Sequence, residues 1–286
     1  MNNQLAVKDP GQIIGLNRRV KTVIISGILL GIIVGVFLAG VLIGDAAMTV
    51  DFSRKGLGPS WRYPFGTDWL GRDMLLRTVK GLSISIMVGS IASAVSAVLA
   101  TIIGIAAATG KRWVDSSIGW LIDLVMGVPH LVLLILVSFA CGRGLTGLLV
   151  GIAVTHWTGL ARLVRAEVLQ IRGQQYITIS RHLGQSKGWI LRHHILPHVL
   201  PQFVIGLILL FPHAILHESS LSFLGYGLPP EQPAIGIILA ESMKYLTGGM
   251  WWLAFFPGIT LVLVVILFDK LGENLKMLLD PYSAQE

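Results

Sequence analysis

Six stretches of this chain run for about twenty residues without a single Asp, Glu, Lys or Arg: 22–44, 81–110, 124–142, 144–161, 193–217 and 245–268. A backbone in hydrocarbon must satisfy its own N–H and C=O groups, which a helix does. Roughly 20 apolar residues cross the ~30 Å core of a bilayer. The runs therefore predict an all-α, polytopic membrane protein with six transmembrane helices and little chain left for a soluble domain. A composition of 53% hydrophobic and 13% charged residues excludes a solvated globular surface.

The expected organisation is an N-terminal segment at 1–21, a first transmembrane helix at 22–44 and an outer loop at 45–80. A core of five further spans follows at 81–271, with a large loop at 166–197, and then a C-terminal tail at 272–286. Arg18, Arg19 and Lys21 precede the first run in the manner of a signal peptide, but that run exceeds a signal core and reads as a retained helix. The lone cysteine, Cys141, has no internal disulfide partner and is expected to be a small buried hydrophobe.

With both termini cytoplasmic, fourteen Lys and Arg fall on the inner side and eight on the outer, the bias that topology requires. Six of the outer eight lie in 45–80, alongside Asp45, Asp51, Asp68 and Asp73. The net charge of +7 is thus read as topology and attraction to membrane lipid; no nucleic-acid motif accompanies it.

The largest inner loop carries the densest polar sequence. From 175 to 191, apolar Tyr176, Ile179, Leu183 and Ile190 form a stripe among Arg181, His182, Gln185 and Lys187, with breaks near Gly184 and Gly188. On its own, such a helix reads equally as an interfacial segment gripping anionic lipid.

The run "QYITISRHLGQSKGWILRHHILPHVLP" resembles the cytoplasmic coupling loop of permease subunits of ATP-binding-cassette (ABC) importers. That family's pattern is Glu-Ala-Ala, three residues, Gly, then about ten residues to Ile-Leu-Pro. Here the glycine is Gly184 and the ending Ile195, Leu196, Pro197, but Thr178, Ile179 and Ser180 stand at Glu-Ala-Ala, so the pattern's acid is missing. "YPFGTDWLGRDMLLRTVKGLSISIMVG" from 63 is similar to the signature of the peptide and nickel branch, and "HESSLSFLGYGLPP" and "WTGLARLVRAEVL" resemble further segments of it.

The resemblance implies a type I ABC importer permease in a bacterial or archaeal plasma (inner) membrane. Its partners would be a second homologous permease, two ABC ATPase subunits and an extracytoplasmic substrate-binding protein. The chain has no Gly-x-x-x-x-Gly-Lys-Ser/Thr phosphate loop, so ATP and Mg are expected on the partner ATPases, with no cofactor and no catalytic residue in this chain. ATPase coupling is assigned to Tyr176, Ile177, Thr178, Ile179, Ser180, Arg181, Leu183, Gly184 and Lys187. Tyr176, Ile177, Ile179 and Leu183 supply apolar contacts, and Gly184 permits a sharp turn and a close approach. The alternative for Gly184 is an ordinary loop glycine.

The outer signature, Gly66, Thr67, Asp68, Gly71, Arg72 and Asp73, suits a compact turn closed by internal charge pairing. It is either a plug on the outer helix ends or a contact for the binding protein.

In the fifth run His213 and His217 share a helical face, beside Glu218 and after Pro212. Ionisable groups within a membrane face a cavity or the bundle interior, and imidazole suits transition metals. His213 and His217 are therefore expected as a transient metal stop, and His156, His130 and Glu218 as further pathway residues; the alternative is histidines satisfied by neighbouring helices. This tips the expected cargo to nickel, another metal or a metal chelate, with dipeptides or oligopeptides as the alternative. A different class, an ion-driven secondary transporter or channel, would show internal repeats, and none is evident. Gly27, Gly31 and Gly35 form a small-residue face for helix packing, either within the chain or on a partner.

Overall fold

The computed structural model describes residues 18–279; the N-terminal residues 1–17 and the end of the tail, 280–286, lie outside the described residues. The first helix, α1 (Arg18–Ile43), ends in a 3-10 turn, Gly44–Met48, and a second such turn follows at Phe52–Arg54. α2 (Met74–Thr109) starts well before the expected 81, because the Asp73 carboxylate accepts from the N–H groups of Leu75 (2.8 Å) and Leu76 (3.3 Å). Such a cap satisfies amides that would otherwise be orphaned at the helix start. Arg77 and Lys80 therefore lie inside α2, not in the loop before it.

The expected third span is not one straight helix. α3 (Arg112–Gly127) and α4 (His130–Ala140) meet at 101°. Pro129 lacks an N–H and pushes Val128 into an extended conformation, φ −93° and ψ 137°, which breaks the helix between the two. α5 (Gly144–Arg172) follows. Asp115 of α3 pairs with Arg165 at 2.5 Å, and Asp123 pairs with Arg162. These two ion pairs tie α3 to the second half of α5.

α6 (Gln175–His182) and α7 (Lys187–Ile190) form the large loop, and a π-helical turn, Leu191–Ile195, leads into α8 (Leu196–Phe223). α9 (Ile235–Met243), a buried apolar helix that the charge-free runs do not reveal, precedes α10 (Trp252–Leu279). Among the described residues five helices are long and apolar enough to cross a membrane, or six if the bent pair counts as one span.

α2 and α5 form the central pair. α2 buries small residues at helical spacing, Ser93, Ser96, Ala97, Ala100, Gly104, Ala107 and Ala108. Small side chains let two backbones approach where apolar burial offers no drive. A Cβ on Gly104 would stand 2.7 Å from the Ala161 carbonyl oxygen, so this crossing requires glycine. α1 packs more thinly, against α2 and α10. Gly40 approaches Ser83, whereas Gly27, Gly31 and Gly35 face open space, so their face packs on no helix among the described residues.

The bundle has two dissimilar ends. One gathers residues 44–73 and 224–251, including α9. The other gathers the end of α2, the end of α5 and the 173–195 loop. Cys141 is exposed at the end of α4, contrary to the expected burial, because the helix terminates there before the turn to α5.

Candidate functional site

The loop end is built around Ile177. This side chain is 0% exposed and joins a buried cluster with Ala108 of α2, Val164, Val168 and Ile171 of α5, and Ile190 and Ile195 beyond the loop. Ile177 thus anchors α6 to its own chain and does not belong to an outward contact face, a correction to the expected apolar set. On the opposite side Ile179 is 57% and Leu183 75% exposed, with Tyr176 at 37%. Thr178, Arg181 and Lys187 are exposed as well. The Ser180 hydroxyl donates to the Tyr176 carbonyl (2.8 Å) and lies 3.1 Å from His194 Nε2, which ties α6 to the turn entering α8. Tyr176 packs beside the His194 and His198 rings, and Trp189 stacks on His193 at 4.4 Å. The loop histidines therefore fasten the loop to α8.

Gly184 has φ +81°, a region that glycine enters without steric cost. A Cβ there would meet nothing within 4 Å, so the residue serves the turn, while the expected close approach is absent. At the same end Arg172 donates to the Ala108 carbonyl oxygen and joins the ends of α5 and α2. α6 is a short rod with one face welded to the bundle and the other apolar and free, which can transmit a push.

The signature segment forms a plug at the opposite end. Gly66 (φ +70°) and Gly71 (φ +75°) make the turns, and Thr67 and Asp68 are fully buried. Asp68 accepts from the N–H groups of Leu70 (2.8 Å) and Arg72 (2.9 Å), from Arg72 Nε (2.6 Å) and from Arg77 Nη1 (3.2 Å). Arg77 also donates to Glu241 at 2.6 Å. Both guanidiniums lie over Trp69, which stacks on Tyr245, and Trp252 Nε1 donates to the Thr67 carbonyl. The Thr67 hydroxyl donates to the Arg54 carbonyl (2.5 Å) and accepts from the Leu57 N–H. These bonds join the loop to α2, α9 and α10. Arg77 and Glu241 are 164 residues apart, and nothing local in the sequence pairs them. At the loop's edge, the Ser53 hydroxyl and N–H donate to Asp51 and, with Arg54 nearby, hold its carboxyl below the usual carboxylate range.

Between the ends lies a cavity of about 710 Å³, walled by 125–130 at the α3–α4 break, by α5 at Thr155, His156, Thr158, Gly159 and Leu160, and by α8 at Leu210, His213 and His217. Among the described residues no Asp, Glu, Lys or Arg lines it. Three imidazoles from three helices converge on its wall: ring centroids are 4.5 Å apart for His130 and His156, 4.6 Å for His130 and His217, and 5.0 Å for His156 and His217. The two histidines expected as a pair are thereby divided. His217 joins the cluster, whereas His213 is exposed on the same wall and is not one of the three.

Glu218 departs further from expectation. It is fully buried, accepts from the hydroxyls of Ser222 (2.8 Å) and Ser219 (3.2 Å), and does not line the cavity. One step along a helix turns a side chain by about 100°, so the neighbour of a cavity residue points elsewhere. Ser222 also accepts from the Leu228 N–H (3.2 Å), which makes Glu218 part of the brace at the end of α8.

Residues 100–279 match the family model for "Binding-protein-dependent transport system inner membrane component". The dipeptide transport system permease protein DppC of Bacillus subtilis (strain 168) is 36% identical over 230 residues, covering 80% of this chain and 72% of that protein. A Brucella suis biovar 1 (strain 1330) protein named as a peptide permease is 35% identical over 235 residues, covering 81% and 77%. Two solved structures share the fold. One is the MetNI methionine ABC transporter in inward-facing conformations, with TM-score 0.59 and 18% identity over 72% of this chain and 98% of that one. The other is an amino acid ABC transporter with histidines, with TM-score 0.54 and 16% identity over 73% and 94%.

Proposed function

The chain belongs to the family of binding-protein-dependent transport system inner membrane components, as a multi-pass permease subunit of an ABC importer, and from that premise we propose that its cargo is short peptides. The observation that carries the reading is the similarity, over about four-fifths of the chain, to relatives named for dipeptides and peptides. It displaces nickel or a metal chelate, which the membrane histidines alone had favoured. Membership of the family also sets aside a secondary carrier or channel, and the chain is a transport component, not an enzyme.

In this reading the cavity between the α3–α4 break, α5 and α8 is this subunit's half of the pathway, and a second permease closes its open side. ATP and Mg belong to two partner ATPases, and a binding protein delivers the peptide to the end that bears the plug. The loop end with Arg172, Arg181 and Lys187 is cytoplasmic, as are both termini, in keeping with the excess of basic residues on that side. The free face of α6 sits in a cleft of an ATPase, and its welded face, through Ile177, carries closure of the nucleotide sites to α2 and α5. Rigid movement of packed elements around a fixed site is how such transitions proceed.

The test is uptake by cells lacking this subunit, complemented or not with the gene. Complementation is expected to restore uptake of labelled dipeptides but not of nickel ions. Restored nickel uptake with no change for peptides overturns the reading.

A further inference from the structure

We propose that His130, His156 and His217 form a binding site for a late first-row divalent cation (Ni²⁺, Cu²⁺ or Zn²⁺), with the ion's remaining coordination positions open to the cavity. The candidate ligand atoms of the three side chains lie within 4.8 Å of one another. They come from three separate helices, at the start of α4, the middle of α5 and the outer half of α8, so no local repeat brings them together.

The hydrogen bonding supports a metal over a merely packed cluster. His156 Nδ1 lies 3.0 Å from the Ile152 carbonyl oxygen. A carbonyl only accepts, and the Thr155 hydroxyl, also 3.0 Å from Nδ1, donates elsewhere and can accept, so a proton on Nδ1 fits both neighbours and leaves Nε2 its lone pair. Fixing one ring nitrogen on a carbonyl is the usual way a metal-ligating histidine is oriented. His156 Nε2 and His130 Nε2 are both buried without a hydrogen-bond partner. Buried polar atoms are rarely left so, and one cation satisfies several lone pairs together.

The geometry is close to a site without being closed. A limit of 4.8 Å between ligand atoms puts a central ion at most about 2.8 Å from each. A Zn–N bond of ~2.0–2.1 Å then asks for an inward movement of about 0.7 Å per ring, which a small side-chain rotation supplies. Neutral imidazoles suit these metals, and no carboxylate lines the cavity to cancel the ion's charge. The charge of an ion held here would therefore be offset by groups of the cargo and not by the wall. On the peptide reading, the amino and carboxylate groups of a small peptide take the open positions, and His213 stands on the same wall within reach of that complex.

The experiment titrates the full chain, carrying a histidine-free affinity tag and held in nanodiscs, with Co²⁺ as a spectroscopic probe and Ni²⁺ by calorimetry. Expected are visible ligand-field bands at one equivalent of Co²⁺, and an affinity at least tenfold lower in both His156→Gln and His217→Ala. The loop variant His193→Ala should bind as the parent does. Helix content and thermal unfolding of each variant are measured alongside, and His130→Asn gives a third, independent removal. No binding by the folded parent, or binding as tight as the parent's in all three cluster variants, overturns the site. The titration needs neither ATP nor peptide: its failure leaves the import reading standing, while failed peptide uptake leaves the site standing.

Discussion

Arg77 Nη1 meets Asp68 Oδ2 at 3.2 Å in a place where neither side chain reaches solvent, and the same guanidinium holds Glu241 at 2.6 Å. Removing one partner of a buried pair strands the other, at a cost of about 3–5 kcal/mol. Asp68→Ala takes from the buried Arg72 its nearest carboxylate and leaves Arg77 with Glu241 alone. The expected outcome is a large drop in thermal unfolding temperature in detergent. Changing Asp51, a half-exposed loop residue whose side chain bonds only nearby Ser53 and Arg54 among the described residues, should leave that temperature nearly unchanged.

The two faces of α6 predict opposite defects. Ile177→Ala removes a fully buried side chain and should cost about 2–5 kcal/mol of stability. Ile179→Asp and Leu183→Asp, on the exposed face, should leave unfolding unchanged and weaken co-purification with the ATPase. Thermal unfolding and pull-down of each variant check the division.

At Gly184 the backbone, not the space around it, limits substitution. An L-residue in the left-handed region costs roughly 1–2 kcal/mol, so Gly184→Ala should bend the exit from α6 and lower uptake per ATP hydrolysed. The bulk of Gly184→Trp falls on the surface proposed to meet the ATPase. That variant is expected to insert normally and to uncouple hydrolysis from uptake.

Gly104 gives the reverse case, a helical glycine limited by space. Gly104→Val drives a side chain toward the Ala161 carbonyl and Val164 and should separate α2 from α5. Overpacking of this kind typically costs 1–3 kcal/mol. Earlier unfolding and faster proteolysis of the loop ends are the expected readouts.

What the sequence revealed, and what it hid, follows from the range of the interactions. Charge-free runs locate helices because hydrocarbon tolerates little else, and Gly184 declares a turn through local chemistry, whereas Asp73, read as part of the outer turn, caps a helix that begins before the charge-free run. Pro129 marks the break between α3 and α4 locally, but an unbroken lack of charge across it masks the bend. Glu218 and His217 are neighbours in sequence, yet one is locked among serines and the other faces the cavity. Only the packing of α8 decides which. The meeting of His130, His156 and His217, and of Arg77 with Glu241, depends on how distant helices cross, which no periodicity within one helix records.

The most direct measurement is labelled dipeptide accumulation in proteoliposomes that hold this chain with its partner permease and ATPases, binding protein outside and ATP within. The account predicts accumulation that requires ATP and is lost with Leu183→Asp. Accumulation by this chain alone, driven by an ion gradient with no ATPase present, would contradict it.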